Sequence, residues 1–141
     1  IYFASCCLGI QPQPHVAEIL FGVDHPASSS LVGLKDNDTR GRRKVTQSIQ
    51  CFPLTTLLQA ANLTRLDYLH LDIQGAEPQV LRYLDWSQVD IKVVDVEVSW
   101  NKEEIVEILE SQGYVLHNHY LDDFIYVRQD VVLPGMKKKT R

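Results

Sequence analysis

The chain has 141 residues, of which 45% are apolar and 23% charged, and its formal net charge is −4. This length and composition are typical of one globular domain, and the acidic balance excludes a protein that binds nucleic acid through bulk positive charge. No apolar run reaches the roughly 20 residues that span a bilayer, so the sequence predicts no transmembrane segment.

The first half of the chain predicts short elements separated by breaks. An apolar start predicts the end of a buried helix over 1–10, and the Gln-Pro-Gln-Pro run that follows closes it. The polar, basic stretch 35–44 predicts a solvated loop. The remaining predicted elements are strands at 15–24, 31–34 and 45–52 and a helix at 54–61.

The second half alternates strands with helices. Apolar, β-branched runs predict strands over 66–72 and 91–98, each covered on both faces as in a parallel sheet. Gly75 makes the turn after the first of these strands, and Pro78 lies in the first turn of a helix that ends near Trp86. The remaining predicted elements are a helix between a capping box at Asn101 and Glu104 and a stop at Gly113, then a hairpin with strands at 114–117 and 124–127.

This alternation predicts an α/β fold with a mostly parallel sheet and a closing antiparallel hairpin. In such sheets ligands bind beyond the carboxyl ends of the strands, and Asp24, Asp72 and Glu97 stand at three of these ends. Asp72 and Glu97 can orient a substrate hydroxyl, accept its proton or ligate a divalent metal. Their spacing does not decide between these roles.

Two of the acidic residues also have a purely structural interpretation. Glu77 follows Asp72 across the turn at a helix N-terminus, where a carboxylate caps free N–H groups. Asp72 can in the same way accept hydrogen bonds from the amides of the turn. The structural and the functional interpretations both stay open from the sequence.

Histidines and cysteines add weaker signals. His70 lies on a predicted buried strand, which favours a hydrogen-bonded core residue. His117 and His119 alternate on a strand near two aspartates, a pattern common by chance, and we predict no metal site. No P-loop, G-x-G-x-x-G, G-x-S-x-G or HExxH motif is present.

The three cysteines, Cys6, Cys7 and Cys51, include no CxxC pair. They can be buried apolar side chains. Alternatively, Cys6 or Cys7 forms one disulfide with Cys51, which would indicate a secretory compartment.

The run from Asp67 to Trp86, DYLHLDIQGAEPQVLRYLDW, resembles the central block of FkbM-type methyltransferases. In that family a strand ends in an aspartate, and a GAE turn, a helix and a tryptophan-bearing loop follow. The segments CFPLTTLL, IKVVDVEVSW and EEIVEILESQGYVLHNHYLDDFIYV resemble the neighbouring parts of the family in the same order. The resemblance covers 45–127, and the chain is most similar to the Star-like invertebrate branch.

The resemblance implies S-adenosylmethionine-dependent methyl transfer to a hydroxyl-bearing substrate, on a Rossmann-like sheet. It implies that Asp72, Gly75 and Glu77 shape the pocket of the methyl donor. Glu97 would face the acceptor. Asp72 is the first candidate for the base that removes the hydroxyl proton, and His70 is the second.

The first strand and the glycine-rich loop of the family have no counterpart in this chain, which begins at Ile1 and not at methionine. We therefore expect a fragment with the C-terminal two-thirds of a Rossmann-like methyltransferase sheet over 1–130, followed by a basic, disordered tail over 131–141. Ala4 and Ser5 would be a remnant of the adenine side of the cofactor pocket, so the cofactor site would be incomplete.

Two other functions stay open at this point. One is a non-catalytic relative that keeps the fold as a binding or membrane-trafficking module, as the Star-like resemblance implies. The other is an unrelated α/β binding domain. The compartment is open as well: it is the cytoplasm, or a membrane of the secretory pathway if an anchor lies upstream.

Overall fold

The structure is a computed structural model that describes residues 6–23, 29–34, 43–98 and 101–131. The predictions that concern Ala4, Ser5 and Asp24 lie outside the described residues, as do most of the predicted loop 35–44 and of the tail 131–141. The loop prediction is wrong at Lys44, which begins a strand. The strands are β1 (Cys7–Leu8), β2 (His15–Gly22), β3 (Ser30–Leu31), β4 (Lys44–Phe52), β5 (Arg65–Leu66), β6 (Leu69–Leu71), β7 (Asp90–Ile91), β8 (Val93–Glu97), β9 (Tyr114–Tyr120) and β10 (Asp123–Arg128). The helices are α1 (Leu54–Ala60), α2 (Glu77–Tyr83) and α3 (Lys102–Ser111).

The first sheet has the order β1-β4-β2-β3 and is built on the long antiparallel pair of β2 and β4. The predicted strands at 15–24 and 45–52 are confirmed in their described parts. The predicted helix over 1–10 is wrong in its described part, because Cys7 and Leu8 form β1. This two-residue strand exists only through its parallel pairing with β4, which local apolar pattern cannot reveal.

A disulfide joins Cys7 to Cys51 inside this first sheet. The two residues face each other on neighbouring parallel strands, and their Cα atoms are 4.4 Å apart, within the range that disulfides span. Cys6 is free and partly buried. The disulfide interpretation is confirmed for Cys7 and Cys51.

The second sheet has the order β6-β8-β10-β9. β6 and β8 are parallel, whereas β10 is antiparallel to both of its neighbours. β5 and β7 pair in parallel in the same register as β6 and β8. The predicted strands at 66–72 and 91–98 therefore form one interrupted parallel pair, and the closing hairpin is confirmed.

The helices begin where the sequence predicts, but one predicted cap does not form. Pro78 lies in the first turn of α2, and α3 begins after Asn101. Asn101 makes no side-chain cap, and Glu104 accepts a hydrogen bond from Arg82 of α2 at 2.5 Å. A tertiary ion pair has thus replaced the capping box. None of the helices in the described ranges has the length and hydropathy of a membrane span.

The main hydrophobic core lies between one face of the second sheet and the helices. Alternate residues of the strands point to it, as the period of two in a strand requires. Its buried members include Leu71, Val94, Val96, Tyr126, Val80, Leu81, Ile105 and Leu109.

The other face of the second sheet is partly open, and we call it the open face. It carries Tyr68, which is 54% exposed, together with His70 and Asp95. The prediction that the strand at 66–72 is covered on both faces is therefore wrong. The sequence pattern counts Tyr68 as an apolar residue, but its hydroxyl needs a polar partner. That partner is Asp95, which lies on the open face. The whole arrangement is a mixed α/β fold with two four-stranded sheets among the described residues.

Candidate functional site

A tight turn after β6 builds the candidate site. Gln74 and Gly75 both have positive φ, 55° and 99°. Glycine adopts this conformation readily, whereas it is uncommon for glutamine. The turn lets α2 begin at Glu77, just beyond the end of a strand that belongs to the second sheet.

Glu77 closes this turn from the inside. It is only 2% exposed, and its Oε1 atom accepts a hydrogen bond from the N–H of Ile73 at 2.7 Å while Oε2 accepts one from Gly75 at 2.9 Å. Burial raises the pKa of Glu77, although the hydrogen bonds from backbone N–H groups oppose that shift. The structural interpretation of Glu77 is therefore confirmed in part: it accepts backbone N–H groups, but these belong to Ile73 and Gly75 of the turn before α2.

Gln74 connects the carboxylates at the ends of two neighbouring parallel strands. Its Nε2 atom donates to Oδ1 of Asp72 at 2.9 Å and to Oε2 of Glu97 at 3.4 Å. Asp72 is exposed and Glu97 partly exposed. Asp72 and Glu97 therefore lie side by side at one rim of the sheet, where the strand-end rule expects a ligand.

The carboxylates of Asp72, Glu77 and Glu97 each place an oxygen within 4.8 Å of the others. Both oxygens of Glu77 already accept backbone hydrogen bonds, whereas Asp72 is exposed and Glu97 partly exposed. In the described ranges, His117 and His119 join no group of three such side chains. The His119 ring instead stacks on Phe124, with centroids 5.3 Å apart.

The sequence did not point to Asp95, a buried carboxylate of the open face. Asp95 is 8% exposed and lies opposite His70, on the neighbouring strand. Its Oδ2 atom accepts hydrogen bonds from the hydroxyl of Tyr68 and from Nδ1 of His70, the latter at 3.2 Å. The available signal was a charged residue inside the otherwise apolar run IKVVDV.

His70 differs from its prediction in burial and agrees in bonding. Its side chain is 48% exposed, so it is not a core residue, but it does have the expected hydrogen-bond partner. The hydrogen bond to Asp95 also raises the pKa of Tyr68 to about 12, because the carboxylate stabilises the protonated phenol. Asp95 therefore keeps Tyr68 in its protonated, donating form.

These features describe an α/β protein with a polar site at the carboxyl ends of parallel strands, the usual place for ligand binding in this class. A family model described as the methyltransferase FkbM domain matches residues 6–116. This match covers most of the chain, so the protein belongs to the FkbM methyltransferase family. Searches among curated proteins and among solved structures gave no significant match.

Proposed function

We propose that the protein transfers a methyl group from S-adenosylmethionine to a hydroxyl group of its substrate. The observation that carries this proposal is the pair Asp72 and Glu97, bridged by Gln74 at the strand ends of a chain that belongs to a methyltransferase family. The sheet would then be the C-terminal two-thirds of a Rossmann-like methyltransferase sheet, and the parallel pairing of β6 with β8 supports this.

The chemistry of the donor set fits the cofactor. S-adenosylmethionine carries a sulfonium cation, an ammonium group and ribose hydroxyls, and carboxylates attract the cations and accept hydrogen bonds from the other groups. Asp72 and Glu97 supply such carboxylates at the turn. When bound, the cofactor supplies an electrophilic methyl group.

The residues of this chain would align the acceptor and remove its proton. Asp72 and Gly75 would lie on the donor side and Glu97 on the acceptor side, while Glu77 keeps the turn in shape. Alignment of two reactants can account for much of a rate enhancement, and a positioned base adds roughly 10²–10⁴-fold. The candidates for this base are Asp72 and His70.

Calorimetric titration of the chain with S-adenosylmethionine tests the proposal. We expect weak binding to the wild type, since part of the family's cofactor site has no counterpart in this chain. Binding should be about tenfold weaker still for Asp72→Asn, because one charge-assisted contact of about 1.5 kcal/mol is lost. Asp67→Asn is the matched control, since Asp67 is exposed at the opposite end of the strand and pairs with Lys92.

No heat from the folded wild type at millimolar cofactor would contradict the proposed function. Binding without release of S-adenosylhomocysteine in the presence of a panel of hydroxyl compounds would instead support the non-catalytic binding module. Equal affinity of the wild type and Asp72→Asn would remove Asp72 from the cofactor site.

A further inference from the structure

One carboxylate oxygen on the open face is shared by two donors. Tyr68 and His70 are alternate residues along the same edge of the sheet, and both donate to Oδ2 of Asp95. The pairing of β6 with β8 puts His70 directly opposite Asp95. The three side chains therefore form a fixed hydrogen-bonded group, which we call the Asp95 triad.

The carboxylate of Asp95 is buried, and these two donors contact only one of its oxygens. Asp95 is 8% exposed, and its Oδ1 atom is buried without a hydrogen-bond partner among the described residues. The described residues therefore stabilise the carboxylate through the hydrogen bonds at Oδ2. A buried carboxylate with so few partners interacts strongly with the donors that it has.

The contact with Asp95 also decides which nitrogen of His70 carries the proton. An ionised carboxylate only accepts hydrogen bonds, so Nδ1 of a neutral His70 ring must be the donor. Nε2 then holds the free lone pair. Because the His70 side chain is 48% exposed, a ligand can reach this lone pair.

His70 is close in the chain to Asp72, the residue assigned to the donor side of the proposed site. His70 lies on β6 and Asp72 directly follows that strand, so their Cα atoms are at most about 7 Å apart. Asp72 is engaged by Gln74, whereas Nε2 of His70 accepts no hydrogen bond from the described residues. An imidazole is also better matched than a carboxylate to accept a proton near neutral pH.

We propose that His70 is the proton acceptor of the methyl transfer and that Asp95 is the residue that positions it; this inference rests on the proposed function. The oxygen of the substrate hydroxyl forms a bond to the methyl carbon, and the carbon–sulfur bond breaks with its electron pair remaining on sulfur. The hydroxyl proton passes to Nε2 of His70, and the resulting imidazolium is stabilised by Asp95. Solvent then takes the proton from the exposed ring.

A first experiment needs no cofactor and reads the tautomer of His70 from its ¹⁵N resonances. We expect protonated Nδ1 and unprotonated Nε2 in the neutral ring of the wild type. Asp95→Val removes the hydrogen-bond acceptor, and valine is a suitable residue for a buried strand. In this variant His70 should shift to the Nε2-protonated tautomer that free histidine favours. Tyr68→Phe, the matched control, keeps the contact of His70 with Asp95 and should keep the tautomer of the wild type.

A second experiment measures the reactivity of Nε2 with diethyl pyrocarbonate, followed by mass spectrometry of the modified peptide. Asp95→Val should slow modification of His70 at Nε2 by about the factor by which it moves the neutral ring to the Nε2-protonated tautomer. His117 and His119 lie on β9, at the opposite edge of the second sheet from β6. They serve as internal standards and should react at unchanged rates. Saturating S-adenosylmethionine should protect His70 in the wild type.

The possible results separate this inference from the proposed function. The same tautomer or the same modification rate in the wild type and Asp95→Val overturns the positioning role of Asp95. Calorimetric binding of S-adenosylmethionine without protection of His70 overturns the role of His70 and leaves the proposed function intact. Failure of the wild type to bind the cofactor, with the tautomer as expected, overturns both the proposed function and the catalytic use of the triad.

Discussion

The backbone N–H of Gly75 donates a hydrogen bond to Oε2 of Glu77 at 2.9 Å. With the second bond from Ile73 to Oε1, the carboxylate connects two residues of the turn to the first turn of α2. The position of Asp72, and of the Gln74 amide that reaches Glu97, depends on this buried contact.

Replacement of Glu77 by alanine should destabilise the protein by about 1–3 kcal/mol, because two buried N–H groups lose their acceptor. Urea unfolding measures the change as a lower midpoint. Glu103→Ala is the control, since Glu103 is exposed in the first turn of α3, and it should change the free energy of unfolding by less than about 0.5 kcal/mol. Equal midpoints for the two variants would show that Glu77 does not hold the turn.

The pH dependence of stability should carry a signature of Glu77. Burial raises its pKa in the folded state, so the folded protein binds this proton more tightly than the unfolded chain. Its contribution is therefore complete below the ordinary glutamate pKa of about 4.3 and is lost as pH rises through the raised value. Glu77→Gln cannot titrate, so its free energy of unfolding should lack this decrease.

Exposed aspartates act in the opposite direction and at lower pH. Hydrogen bonding to Lys92 lowers the pKa of Asp67, and that to Arg128 lowers the pKa of Asp130. Stability from such groups is lost as pH falls below about 3.9.

Parallel stability curves for the wild type and Glu77→Gln between pH 4 and 7 would contradict the raised pKa of Glu77.

Gly75→Val should destabilise the protein more than Gly113→Val. Both glycines have positive φ, 99° and 80°, and a side chain in the left-handed region costs roughly 1–2 kcal/mol. Gly113 meets no neighbour within 4 Å of an added Cβ, whereas Gly75 is buried in the turn. Chemical denaturation of the two variants compares these costs, and a smaller loss for Gly75→Val would disprove the tight packing of the turn.

Reduction of the disulfide should lower the free energy of unfolding by up to about 4 kcal/mol, since Cys7 and Cys51 close a loop with a sequence separation of 44. Urea midpoints with and without reductant measure this. A thiol assay of the denatured, unreduced chain should detect Cys6 alone. Cys6→Ala should keep the sensitivity to reductant, and a wild type that reductant leaves unchanged would contradict the prediction.

The sequence predicts the elements whose signals are local. The alternating run at β4, the proline in the first turn of α2 and the glycine after α3 all agree with the structure. The proximity of Asp72 and Glu97 follows from a general property of parallel strands, whose carboxyl ends meet at one rim. These inferences need no knowledge of which residues lie opposite one another.

The features that sequence alone misses depend on pairing between distant segments. The contact of His70 with Asp95 comes from the register of β6 against β8, which no local pattern encodes. β1 is a strand because β4 pairs with it, and Glu104 leaves its expected cap because Arg82 of α2 lies within reach. In each case a tertiary partner outweighs a weak local preference.

Ile73, whose N–H donates a hydrogen bond to Glu77, packs against both hydrophobic clusters found among the described residues. One side chain beside the candidate site thereby joins the interior of the first sheet to that of the second. Unfolding of either sheet removes packing contacts from the other, so heat should be absorbed in a single calorimetric peak. A small molecule that binds at the turn would therefore stabilise both sheets and shift the whole peak to higher temperature.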